Sequence, residues 1–230
     1  KIKLFVNVSS AYRTPSLYQL FSEYGNKNLK PEDALTTEAG IQYFAEDKKF
    51  NARAVFFNRI IKDVIFFYFN STTFQSQYIN QDKQKDNGVE FEASYTGIKN
   101  TTIKFFYNYV DGMIETKTGA GKDTTFFNLI KKKKNNFGLN ISSQIAKCLF
   151  VSSNLSVIGK REDKYFDATT FKTVNATLKS YALLNFYADY SFVKSKIKVF
   201  ADLRNITNEK YTEVSGFNTL GFTAFGGVRF

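Results

Sequence analysis

The sequence predicts an all-β protein, an antiparallel transmembrane β-barrel, and three observations predict it. Apolar and polar residues alternate with a period of two through most of the chain. Connections between these runs are short and long by turns, so the short ones gather at one end of the sheet. No run of about 18 apolar residues exists to form a spanning helix, so any crossing of a bilayer falls to strands.

The elements follow in order. The first strand is read over residues 1–9, where Ile2, Leu4, Val6 and Val8 alternate with Lys1, Lys3, Asn7 and Ser9. A second over 35–45 and a third over 50–69 are joined by the turn "EDKK". The fourth, 77–97, carries "NGVEFEASY", in which Val89, Phe91, Ala93 and Tyr95 oppose Glu90, Glu92 and Ser94. The turn "GIKN" leads to the fifth, 102–111. The sixth, 134–145, sets Phe137, Leu139, Ile141 and Ile145 against Gly138, Asn140, Ser142 and Gln144, and "IAK" joins it to a seventh over 148–160. The eighth, 179–192, and ninth, 196–207, flank "VKS"; in the ninth, Ile197, Val199, Ala201 and Leu203 oppose Lys196, Lys198 and Asp202. The tenth is 221–230, "GFTAFGGVRF".

The connections after the odd-numbered strands are mostly longer and polar, including 10–34, 112–133, 161–178 and 208–220. Short turns at one end and long loops at the other are the layout of an outer-membrane barrel, with periplasmic turns and extracellular loops. A soluble sandwich has no reason to keep that parity. Lipid cannot satisfy an open sheet edge, so a spanning sheet closes.

Composition narrows the chemistry. The 230 residues are 43% hydrophobic and 17% aromatic, which argues against disorder. A formal charge of +11 admits nucleic acid, an anionic membrane surface or basic loops. There is no histidine, the commonest general base and metal ligand, and the single Cys148 forms no internal disulfide or thiolate cluster. No enzyme, catalytic residue, metal site or cofactor is expected. "GAGKDTT" from Gly119 departs from a phosphate loop at Thr116 and Asp123 and reads as an extracellular loop. Glu90 and Glu92 read as polar lumen rather than a glycosidase pair. "KKKK", Lys131 to Lys134, lacks interleaved aromatics for nucleic acid and suits lipopolysaccharide phosphates at an outer rim.

Two segments carry a family resemblance. In residues 11–44, Arg13, Pro15 and Ser16 are followed by Asn28 to Glu32 and then Glu38. This resembles the Arg-x-Pro-Ser and Asn-Leu-Lys-Pro-Glu segments of TonB-dependent outer-membrane receptors. Residues 200–230, with Asn205, Lys210 and Tyr211, resemble the family's final hairpin, although Ile206 and Thr207 replace its usual Leu-Phe.

The resemblance implies roughly the last ten strands of a 22-stranded barrel. The N-terminal plug, the TonB-contacting segment and the earlier strands would lie outside residues 1–230, because "KIKLFVNVSS" already begins inside a strand. It implies a receptor in the Gram-negative outer membrane for TonB-energised uptake of a scarce nutrient. The final hairpin is most similar to the cobalamin subgroup; ferric-siderophore, haem and oligosaccharide receptors share the scaffold, and an outer-membrane enzyme or adhesin is the remote alternative. Ligand-contacting aromatics are expected on the extracellular loops at Tyr18, Tyr24, Phe74, Tyr165, Phe166 and Phe217. Phe222, Val228 and Phe230 would form the signal read by the barrel-assembly machinery. Ile2, Val89, Phe91, Leu139, Ile141, Val199 and Phe230 are expected to face lipid, and Glu38, Glu90, Glu92, Asn140 and Lys198 the lumen.

Overall fold

A computed structural model describes residues 1–70, 73–117, 124–128, 132–170, 172–192 and 196–230. In chain order the elements are β1 (Ile2–Arg13), α1 (Leu17–Phe21), β2 (Glu32–Phe44), β3 (Phe50–Asn70), β4 (Gln75–Tyr95), β5 (Thr101–Lys117) and β6 (Thr124–Asn128). Then come β7 (Asn135–Ala146), β8 (Leu149–Ile158), β9 (Arg161–Asp167), β10 (Lys172–Leu178), β11 (Tyr181–Ser191), β12 (Lys198–Arg204) and β13 (Thr223–Arg229). The main sheet runs β1-β2-β3-β4-β5-β7-β8-β11-β12-β13, every neighbour antiparallel, with β6 added as an eleventh strand against β5, and the ten strands of the path are the ten read from the sequence.

Four expectations about the ends need correction. The segment 161–178 is not a loop: β9 and β10 pair over its length as a separate two-stranded sheet. β5 continues to Lys117 and pairs with β6, so 112–133 is partly strand, while residues 118–123, which include most of "GAGKDTT", lie outside the described residues. Residues 10–34 hold the end of β1 and the helix α1. Phe222 and Phe230 flank β13 rather than belonging to it, and Phe230 is 93% exposed. Polar runs hide such pairing: on the β9–β10 hairpin the buried face includes the charged Arg161 and Asp163 beside Leu178, so burial does not appear as apolar alternation.

Register sorts the side chains onto two faces. One row passes through Val6, Ala39, Phe56, Val89 and Tyr109, and the row below it through Ile41, Ala54, Phe91 and Tyr107. On the far strands the same face carries Leu139, Leu155 and Leu184, then Val199 and Val228. The opposite face carries Glu38, Arg53 beside Glu92, Glu90 beside Asn108, and the run Asn140, Asn154, Asn185. Ile2, Val89, Phe91, Leu139, Ile141 and Val199 therefore share one face and Glu38, Glu90, Glu92, Asn140 and Lys198 the other, while Phe230 lies beyond the last paired residue. Ile2, Leu4, Val6 and Val8 are exposed with no protein against them, which suits lipid and not water.

The polar face has its own packing. Asp86 is 1% exposed and receives the Arg59 guanidinium, with Nε donating at 3.1 Å, while Gln84 donates to its other oxygen at 3.2 Å. Four phenylalanine rings on this face lie over glycines directly opposite: Phe5 over Gly40, Phe57 over Gly88, Phe106 over Gly138 and Phe200 over Gly227. A Cβ at any of these glycines would stand within 3.0 Å of the ring, so a larger residue would displace it.

At the lower end the turns are tight. Lys48 at φ 58° and Asn100 at φ 56° adopt the left-handed conformation that closes their hairpins, and Asp47 accepts the Lys49 N–H at 3.0 Å. The turn 193–195, "VKS", lies outside the described residues.

Candidate functional site: the long-loop end

β3 and β4 are each 21 residues long, about twice the 9–11 that a tilted strand needs to cross a bilayer. Their upper halves therefore rise roughly 30 Å above the crossing part. Residues 14–30 fold back onto this extension. Ser16 caps α1 by accepting the Gln19 N–H at 3.2 Å while the Gln19 side chain accepts the Ser16 N–H at 2.9 Å, a reciprocal capping box. The Tyr78 N–H donates to the Tyr24 carbonyl at 3.0 Å, and the Asn26 side chain donates back to the Tyr78 carbonyl at 3.0 Å. Asn80 accepts the Lys30 N–H at 2.8 Å and donates to the Lys30 and Asp63 carbonyls at 2.9 and 2.6 Å. Below, Arg13 grips Glu32 with two bonds of 2.6 Å, and Glu32 also accepts the Ile65 N–H at 2.7 Å.

These clamps bring three of the expected residues together. The Tyr18 ring meets Tyr78 at 6.2 Å, Tyr24 meets Phe67 at 5.6 Å, and Phe67 meets Tyr78 at 5.2 Å, all edge to face. Tyr24 and Phe74 line one cleft of about 610 Å³ with Glu23, Tyr68, Gln75 and Gln77. Phe74 stands at its mouth, 72% exposed, on a backbone at φ 55°.

Tyr165 belongs to a second cleft, of about 560 Å³, under the β9–β10 hairpin. Leu178, Tyr181, Tyr211, Lys179 and Lys210 line it with Tyr165. Tyr181 and Tyr211 pack with ring centroids 4.4 Å apart, and the Tyr181 hydroxyl donates to Glu213 at 2.9 Å. The loop 205–222 is tied down beside it: Asn205 accepts the Glu209 N–H at 2.8 Å and donates to the Glu209 carbonyl at 2.9 Å, while buried Asp163 accepts the Ser215 N–H at 2.8 Å. At the hairpin tip Asp167 accepts the Thr169 N–H and the Thr170 hydroxyl, which hold its carboxyl below the usual carboxylate range. The Phe166 side chain lies outside the described residues. Phe217 is 70% exposed and lines neither cleft.

Sequence reasoning missed Phe67, Tyr68 and Tyr78, because they sit within the strand runs 50–69 and 77–97. It also missed Tyr181 and Tyr211 as a pair. The usable signal was length: strands twice the crossing distance put their upper aromatics outside the bilayer.

The family described as "TonB dependent receptor-like, beta-barrel" matches residues 1–206. The chain is 26% identical over 210 residues to the vitamin B12 transporter BtuB of Vibrio cholerae serotype O1, covering 90% of this chain and 31% of that protein. It thus spans about a third of the length of the curated relatives it matches. Among solved structures, the FrpB iron transporter of Neisseria meningitidis superposes with a TM-score of 0.75 at 17% identity, over 99% of this chain and 36% of that one. The ferripyoverdine receptor of the Pseudomonas aeruginosa outer membrane gives 0.74 at 15% identity, over 99% and 30%. Both likenesses are of fold, and the relatives are transporters and receptors rather than enzymes. The chain belongs to the TonB-dependent receptor β-barrel family of the Gram-negative outer membrane.

Proposed function

We propose that this chain forms the last ten strands of a receptor that captures cobalamin at its long-loop end and passes it inward with energy from TonB. The observation that carries the reading is the pair of tyrosine-rich clefts at that end, each near 600 Å³ in scale and each combining ring faces with polar tips. Such surfaces hold a large amphipathic ligand while its polar edges stay wet. The match to a vitamin B12 transporter over 90% of the chain supports the choice of ligand. A plug, contributed by residues outside this chain, fills the lumen and makes the contact with TonB. Tyr18, Tyr24, Phe74, Tyr165, Phe166 and Phe217 are the contact residues of this reading. Phe222, Val228 and Phe230, at the last strand, are its assembly signal for the barrel-assembly machinery.

Equilibrium binding to the purified full-length receptor tests the ligand. Micromolar or tighter cobalamin binding, weakened on removing 161–178 or 208–220, is the expected result. Tight binding of a ferric siderophore with no cobalamin signal overturns it.

A further inference from the structure

We propose that a small cationic niche at the upper rim, where the start of β9 meets the top of β5 and the residues leading into β7, binds a phosphate-type oxyanion. The niche holds about 90 Å³ and is lined by Lys132, Lys134, Lys160 and Arg161, with Asp111 and Glu162. It admits one oxyanion group and not a whole nutrient.

Arg161 makes it a built site. This side chain is only 4% exposed, one of its terminal N–H groups donates to the Thr212 carbonyl at 2.7 Å, and its guanidinium lies 5.1 Å from the centre of the Tyr181 ring. Its Nε is buried with no hydrogen-bond partner. Thr212 and Tyr181, which hold the guanidinium, line the neighbouring cleft, so Arg161 stands between the two and gives the niche a fixed buried positive charge. The surrounding charge adds to it. Lys134 is neutralised by Asp111 at 2.9 Å, and Glu162 accepts the Thr177 hydroxyl at 3.4 Å. Lys132 and Lys160 form no ion pair with a described residue, so positive charge is in excess. Cations approaching from several sides suit a tetrahedral phosphate, with acceptors all round, better than a planar carboxylate.

Two sources could present that group. One is the phosphodiester of the nucleotide arm of a corrinoid, held in the neighbouring cleft, since Tyr181 both backs Arg161 and lines that cleft. This source rests on the cobalamin reading. The other is a phosphate of the surrounding lipopolysaccharide, which does not.

The test compares cyanocobalamin with cobinamide, a corrinoid without the phosphodiester, on full-length receptor, wild type against the double variant Lys132→Gln/Lys160→Gln and against Arg161→Gln. The double variant touches neither Thr212 nor Tyr181, so it keeps the fold. If the corrinoid is the source, it weakens cyanocobalamin by about tenfold, leaves cobinamide unchanged, and the difference shrinks as salt rises. If lipid is the source, both corrinoids are unaffected and lipopolysaccharide phosphate bound per receptor falls. Unchanged values in all three measurements, or equal losses for the two corrinoids, overturn the niche. If wild type binds neither corrinoid, the cobalamin reading fails by itself, and pyrophosphate becomes the probe. Pyrophosphate binding lost in the double variant then supports the niche, and no wild-type binding overturns it.

Discussion

Gly138 and Gly88 should respond differently to the same added methyl group. At Gly138 a Cβ would stand 2.4 and 2.6 Å from atoms of the Phe106 ring, and its three nearest neighbours all belong to that ring. At Gly88 it would stand 2.7 Å from Phe57 but also 2.1 Å from the Tyr109 backbone carbonyl. A ring can swing aside, whereas a carbonyl in the ladder moves only with its strand. Overpacking costs about 1–3 kcal/mol, so Gly138→Ala belongs near the low end of that range and Gly88→Ala at or above the high end. Removing the ring in the same molecule separates the causes. Phe106→Ala should rescue Gly138→Ala, giving a coupling of about 1 kcal/mol in a double-mutant cycle, while Phe57→Ala should leave most of the Gly88→Ala cost in place. Urea unfolding of the full-length receptor in lipid vesicles, followed by loss of the heat-modifiable folded band, reads both cycles. Additivity within about 0.5 kcal/mol at Gly138/Phe106 would refute the idea that the ring occupies the glycine's space.

Four further outcomes are expected. Lysine at Val89 or Phe91, at mid-membrane on the apolar face, should cost about 2–4 kcal/mol, whereas lysine at Glu90 should be tolerated, as vesicle unfolding will report. Glu32→Gln removes the charge from the bidentate Arg13 bond and weakens the Ile65 N–H contact; segment 14–30 should become open to protease while the barrel stays folded. Asp167 has its folded pKa below the ordinary value near 3.9. Its contribution to the hairpin tip is thus complete above about pH 4 and lost as pH falls through the lower folded value. The protection of the Thr169 amide, its exchange rate relative to the intrinsic rate at the same pH, should fall in that acidic window in wild type and be absent at every pH in Asp167→Ala. Phe230→Ala should reduce surface levels of the full-length receptor more than one exposed aromatic contact explains, and unchanged levels would remove its role as an assembly signal.

What was legible in the sequence was whatever the bilayer enforces. Ile2 to Val8, Val89 to Tyr95 and Phe137 to Ile145 alternate because one neighbour is lipid and the other is lumen, and a slip of one residue would invert them. Above the bilayer that discipline lapses. Arg161 to Asp167 and Lys172 to Leu178 bury a face that includes Arg161, Asp163 and Leu178 against the loop 205–222, and because two of these three are charged the buried face does not show as apolar alternation. The candidate site was half legible for the same reason. Tyr18, Tyr24 and Phe74 lie between strands, Tyr18 in α1, and stood out as aromatics in polar surroundings. Tyr78 and Tyr181 lie in strands and did not stand out from the alternation until strand length and register placed them. Arg161 carried no signal at all, because its importance is its burial.

The four phenylalanine–glycine contacts are not scattered at random over the sheet. Each joins two strands whose connection lies at the upper end: β1 with β2, β3 with β4, β5 with β7, β12 with β13. In every case the phenylalanine is on the strand that rises toward the long loops and the glycine on the one that descends. Among the described residues, pairs closed by a lower turn, such as β2 with β3 and β7 with β8, have no such contact. The physical difference between the two kinds of pair is where register information comes from. A tight turn with a left-handed residue, as at Lys48 and Asn100, fixes the first cross-strand pair and hence all that follow. A distant loop, as between β1 and β2, β5 and β7, and β12 and β13, leaves the ends free to slide, since closing a longer loop costs little more for one register than for the next; in β3/β4, where only residues 71–74 separate the paired Asn70 and Gln75, the ring sits 13 residues below the connection. A ring that fits only over a glycine supplies the missing constraint: a slip of two residues keeps the face but sets the ring against a side chain. In β3/β4 that slip would place Phe57 opposite Asp86 or Glu90 in place of Gly88. Exchanging the partners, Phe57→Gly with Gly88→Phe, should therefore fold in the native register less well than wild type, because Tyr109 leaves no room on the descending strand, while Phe57→Gly alone should fold with a broadened register. Disulfide trapping between cysteines placed at Asn51 and Ser94, and separately one pair out of register, measures the distribution. An unbroadened register in Phe57→Gly would show that the loops and lipid face set it unaided.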